Sequence, residues 1–131
     1  MQDFFRTLSV SLLLALFGCG STAPSTELTQ TRDGLTATLA VKPASPAVMK
    51  PVVLQLTLRE EHGGAVEGAV VQYDLTMPGM TMPKTSPVAV AEGGGQYRAQ
   101  TLFTMSGDWR IEATVTRPGG VTAFSYGITV Q

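Results

Sequence analysis

From Gly34 to the C-terminus, apolar and polar side chains alternate almost one for one, in short runs set apart by turn-forming residues. A side-chain period of two belongs to a strand with one buried face, whereas a helix sorts its residues at a period near 3.6. The first run carries Leu35, Ala37, Leu39 and Val41, the second Val52, Leu54, Leu56 and Leu58, and the third Val71, Tyr73, Leu75 and Met77. A short fourth carries Val88 and Val90, and the fifth Tyr97, Ala99, Thr101 and Phe103. Trp109, Ile111, Ala113 and Val115 mark the sixth, and Phe124, Tyr126, Ile128 and Val130 the seventh. Seven such strands with no helical stretch predict an all-β fold, an antiparallel immunoglobulin-like β-sandwich. A barrel is the alternative, disfavoured because the strands differ in length.

The residues before this pattern divide in two. Residues 1–18 read as an export signal: Arg6 precedes an apolar run from Leu8 to Phe17, which is too short to span a bilayer comfortably. Its end, Leu16-Phe17-Gly18-Cys19, resembles a bacterial lipobox, in which a small residue precedes the cysteine that receives the lipid. An ordinary signal peptide with an incidental cysteine is the alternative. Residues 19–33 are then the lipidated Cys19 and a polar, Ser/Thr-rich flexible tether, and residues 34–131 the folded domain. Cys19 is the one cysteine, so the domain is expected to hold together without a disulfide and to carry no thiolate site. A net charge of −1 argues against nucleic acid or an anionic membrane surface as the partner. The expected location is extracytoplasmic, on a membrane reached through the anchor.

Chemistry concentrates in Met77-Pro78-Gly79-Met80-Thr81-Met82-Pro83. A thioether is soft, polarisable and has no proton to lose, which suits Cu(I). Pro78 and Pro83 keep the segment out of a central strand, and Gly79 lets it turn. If each short connection reverses the chain, odd-numbered connections share one end of the sandwich. Met49, the Met77–Met82 loop and Met105 all lie in odd connections, so five methionines converge on one pole. His62 lies in an even one. A strand of eight residues spans about 26 Å against a metal–sulfur bond of about 2.3 Å, so His62 cannot share that site. The candidate ligands are Met77, Met80, Met82 and Met105. The alternative is that Met77 and Met105 continue the inward faces of their strands and plug the core, with Met80 and Met82 folded over as a lid.

Two motifs carry a resemblance. The Met-Pro-x-Met loop is followed by a strand start at Gly95-Gln96-Tyr97 and by a Phe-x-Met-x-Gly-x-Trp turn, Phe103-Thr104-Met105-Ser106-Gly107-Asp108-Trp109. Over about Leu35 to Val130 the chain resembles the YtkA-like domain family, which includes FixH-type proteins. The resemblance implies a small extracytoplasmic immunoglobulin-like domain, often membrane-anchored, linked to copper handling or the assembly of copper-containing oxidases. Relatives frequently place His in the loop where this chain has Thr81-Met82-Pro83, which leaves thioethers that favour Cu(I).

The function expected is therefore a copper-binding lipoprotein that buffers Cu(I) or exchanges it with a copper-donating or copper-accepting protein. A metal-free interaction module using the same apolar Met/Pro pole is the alternative. No enzyme is expected: the chain offers one His, no free Cys once Cys19 is acylated, and no spacing of paired carboxylates.

Overall fold

The computed structural model describes residues 25–81, 83 and 85–131. Residues 1–18, which the sequence reads as an export signal, Cys19 and Met82 lie outside the described residues. Eight strands follow in chain order: β1 (Thr26–Arg32), β2 (Leu35–Lys42), β3 (Pro51–Glu60), β4 (Val70–Thr76), β5 (Val90–Gly93), β6 (Gln96–Leu102), β7 (Gly107–Arg117) and β8 (Gly120–Val130). They build two antiparallel sheets, β1-β2-β3-β6-β5 and β4-β7-β8. Without β1, this is the strand order of a constant-type immunoglobulin sandwich.

The alternation sorts the residues as the sequence predicts. Leu35, Ala37, Leu39 and Val41 of β2 and Val52, Leu54, Leu56 and Leu58 of β3 are buried, facing Val71, Tyr73 and Leu75 of β4 and Ile111, Ala113 and Val115 of β7. Truncating any of these leucines to alanine costs about 2–5 kcal/mol, through lost transfer energy plus the cavity left behind.

Two local expectations are corrected. Residues 26–32 were expected in the tether, but they form β1, paired with β2 from Thr26↔Val41 to Arg32↔Leu35. β1 has one apolar side chain, Leu28, so it carries no alternation to read. Polar groups hold it instead: Thr29 and Thr31 meet Thr38 and Thr36 across the ladder at 3.0 and 3.2 Å. The Gln30 side chain crosses to the other sheet, donating to the Ser125 carbonyl and accepting the Ser125 N–H at 3.1 Å. The Asp33-Gly34 turn, with φ of 51° and 73°, has the positive angles of a two-residue hairpin turn.

The second correction concerns Val88 and Val90, expected on one strand but 60% and 69% exposed. The chain changes sheet between them. Thr85 to Ala89 bond to β4, through Leu75 N–H to Thr85 O at 3.0 Å, Tyr73 N–H to Pro87 O at 2.9 Å and Ala89 N–H to Val71 O at 2.9 Å. Ser86 adds a hydroxyl bond of 2.6 Å to Asp74. From Val90 the chain pairs with β6. This crossing closes one side of the sandwich, and β1 with its Gln30 bridge closes the other.

Candidate functional site

The sheet registers place the methionine-bearing connections at one pole. Lys42 at the end of β2 faces Val53, Pro51 at the start of β3 faces Leu102, and Thr76 at the end of β4 faces Arg110 near the start of β7. The connections 43–50, 77–89 and 103–106 therefore leave the sheets at the same end. A backbone bond ties the first to the third, from the Met49 N–H to Phe103 O at 2.9 Å, and the Val48 N–H donates to Gln131 O at 3.1 Å.

The Met-Pro-Gly-Met turn closes by a bond from Met80 N–H to Met77 O at 3.2 Å, with Gly79 at φ +80°. Proline second and a positive-φ glycine third are the requirements of a type II turn. This turn separates the fates of its two methionines. Met77 continues the inward face of β4 and packs, half-buried, against the core. Met80, three residues on, is 50% exposed.

The Phe-x-Met-x-Gly-x-Trp segment is a second clamp. Phe103 and Trp109 are buried and meet edge to face, with ring centroids 5.0 Å apart at 63°. The indole N–H donates to the Met105 carbonyl at 2.9 Å, which fixes the backbone while the Met105 side chain stays 40% exposed. Gly107 sits at φ +127°, and a Cβ there would meet the Met77 methyl at 2.8 Å. Met77 thus lies over the backbone two residues beyond Met105.

The expected core plug is accordingly met by Met77 alone. The inward alternation of β6 ends at Phe103, because the turn begins there and aims Met105 outward. Met49, whose place the sequence left undetermined, is 60% exposed at φ +59° and hydrogen-bonded to the segment that carries Met105. No pattern in the sequence signals that bond. Met82 lies outside the described residues. Beside the loops a crevice of about 350 Å³ opens between the sheet edges, lined by Val41, Pro46, Asp108, Trp109 and Ile128 and by none of the described methionines.

The opposite pole carries His62, whose ring meets the Glu60 carboxylate at 2.9 Å. Gly95 marks the other family motif. Its φ is +76°, and a Cβ there would lie 2.5 Å from the Leu58 carbonyl, so only glycine fits. Tyr97, next in the motif, donates its hydroxyl to Val66 O at 2.8 Å and accepts the Ala69 N–H at 3.1 Å. Among the described residues no three His, Cys, Asp or Glu side chains gather into a metal-holding group.

Comparison with curated proteins found no match. The family model described as YtkA-like matches residues 29–114, a span that runs from β1 into β7 and contains both motifs. The chain belongs to the YtkA-like family.

Proposed function

We propose that this protein is an extracytoplasmic lipoprotein, anchored through Cys19, that holds Cu(I) through Met80 and Met82 with Met77 and Met105 and buffers it or exchanges it with a partner protein. It is not an enzyme in this reading. The observation that carries the proposal is that Met80 and Met105 stand exposed at the pole where Met77 covers Gly107, although a core filler gains nothing from exposure. Bound there, Cu(I) draws on soft, uncharged sulfur donors that need no deprotonation, so binding persists at acidic pH, unlike that of a His or Cys site. Met49 is a further exposed methionine whose backbone is bonded to Phe103, at the start of the segment that carries Met105.

The test is competition for Cu(I) between a chromophoric chelator and the chain from Ser21 onward, which retains all eight strands. Wild type should withdraw Cu(I) and the Met80→Leu, Met82→Leu double variant should lose most of that capacity while unfolding at the same denaturant concentration. Equal competition by the two sinks the copper reading. The same pair separates the alternative, a metal-free docking module, which the exposed apolar side chains also support: leucine keeps apolar contact and removes the sulfur.

A further inference from the structure

The polypeptide enters the sandwich at the methionine pole. Thr26, the first residue of β1, lies opposite Val41 near the end of β2, and its hydroxyl donates to Ala44 O at 3.0 Å. Ala44 belongs to the connection that carries Met49. The chain leading back to Cys19 therefore leaves the domain at the end where Met49, Met77, Met80 and Met105 sit.

Cys19 and Thr26 are seven residues apart, which caps the separation of their backbones at about 25 Å. The longest strands, β7 and β8, have 11 residues each and hold the poles about 35 Å apart. A lipid on Cys19 thus cannot let the domain stand on the His62 pole. It can stand on the methionine pole or lie on a side, and surface chemistry chooses between these. The outward faces of β6 and β7 present Arg98, Gln100, Arg110 and Glu112. The methionine pole exposes Met49, Met80, Met105 and Leu102, set among Lys50, Thr104, Ser106 and Asp108. Apolar side chains settle at the headgroup boundary.

We infer that the methionine pole faces the bilayer and touches it, the occupant of this apolar surface being the lipid itself. The inference rests on the lipid-anchor reading and not on copper. Other exposed valines compete with it: Val88 and Val90 give the β5 side an apolar strip, and Val70 and Val121, both opposite Thr116, give the second sheet another toward its far end.

The test uses the full chain, lipidated and reconstituted into protein-free vesicles of phosphatidylethanolamine and phosphatidylglycerol. A fluorophore is placed on one introduced cysteine: Met80→Cys or Met105→Cys at the pole, Val90→Cys on the side, or His62→Cys at the far end. Acylation leaves Cys19 without a free thiol, so each label is unique, and two labels at the pole guard against one variant failing to fold. Phospholipid carrying a headgroup nitroxide should quench Met80→Cys and Met105→Cys at least about threefold more than His62→Cys, given poles about 35 Å apart. Equal quenching at the two poles overturns the inference, as does stronger quenching at Val90→Cys, which lays the domain on its β5 side. Protection of the pole in native membranes but not in these vesicles assigns the surface to an embedded protein and overturns the lipid contact. The mass of the N-terminal peptide separates the failures. An unacylated Cys19 ends the anchor reading and this inference together, whereas an acylated one with equally quenched poles ends this inference alone.

Discussion

At the pole that holds Gly95, polar side chains answer one another across the chain reversals. Glu67 accepts the Gly95 N–H at 2.9 Å, Tyr97 bonds both Val66 and Ala69, Thr122 donates to Asp33 at 3.4 Å, and Glu60 stands between His62 and Arg117. At the methionine pole backbone groups close most of the reversals, with Trp109 adding its indole N–H, and Met49, Met80, Met105 and Leu102 stand exposed among Lys50, Thr104 and Ser106. The difference teaches where this fold keeps chemistry in reserve. Side chains at the polar end are engaged in bonds within the chain. At the methionine end main-chain bonds hold the loops, which leaves the sulfurs of Met49, Met80 and Met105 uncommitted.

The largest expected effect breaks the polar pole. Gly95→Ala puts a methyl 2.5 Å from the Leu58 carbonyl at a φ of +76° and disturbs the bonds of 2.8 and 3.1 Å that join Leu58 to Gly95 and Val66. A loss of about 3 kcal/mol is expected in urea unfolding, from steric strain plus broken backbone bonds. Amide exchange should quicken at Leu58 and Val66 while the Met49 amide stays protected.

Trp109→Phe acts on the other pole and should cost about 1–2 kcal/mol, because a phenyl ring keeps much of the apolar contact but cannot donate to the Met105 carbonyl. Exchange should quicken around Met105 and Gly107 and be unchanged at Gly95 to Tyr97. If both substitutions loosen both ends alike, the poles are not independent and the comparison fails.

The smallest effect lies in the core between the ends. The Tyr73 hydroxyl is buried and, among the described residues, has no hydrogen-bond partner, whereas Tyr126 donates its own to Ala37 O at 2.7 Å. Tyr73→Phe removes that orphan group and should leave stability unchanged or raise it by up to about 1 kcal/mol. Burial first, and the neighbouring Tyr126 second, hold the Tyr73 phenol well above the ordinary tyrosine range, and burial does the same for Tyr126. Their raised values mean that stability is full below about pH 10, where tyrosine ionises in the unfolded chain, and falls as pH rises beyond it. Urea midpoints taken from neutral pH into this alkaline range should show the decline in wild type and a shallower one in Tyr73→Phe.

The gathering of the methionine connections was legible because antiparallel reversal turns an odd count into a place. The antiparallel sandwich and Met77's place on the inward face of β4 were legible too, because burial on one face writes itself into alternate residues, whereas the constant-type strand order came only from the pairing of the strands. β1 was not legible, since Thr26–Arg32 is held by threonine pairs and a bridging glutamine that leave no apolar period. Met105 stood between ligand and core plug in the sequence, because the alternation of β6 runs on to it, and the Trp109 bond showed where the strand ends. The placement of Met49 depends on a backbone bond to Phe103, and backbone groups are the same in every residue type.

By itself, then, the sequence determined a two-layer antiparallel fold, its inward residues and the end at which its methionine-bearing connections lie, because each follows from a period of two and a count of reversals. Only the tertiary structure decided which of those methionines the core consumes and which it leaves in solvent. It also decided that the chain arrives from Cys19 at that same pole, since both outcomes turn on where strands stop and which neighbours close the edges, and local side-chain pattern encodes neither.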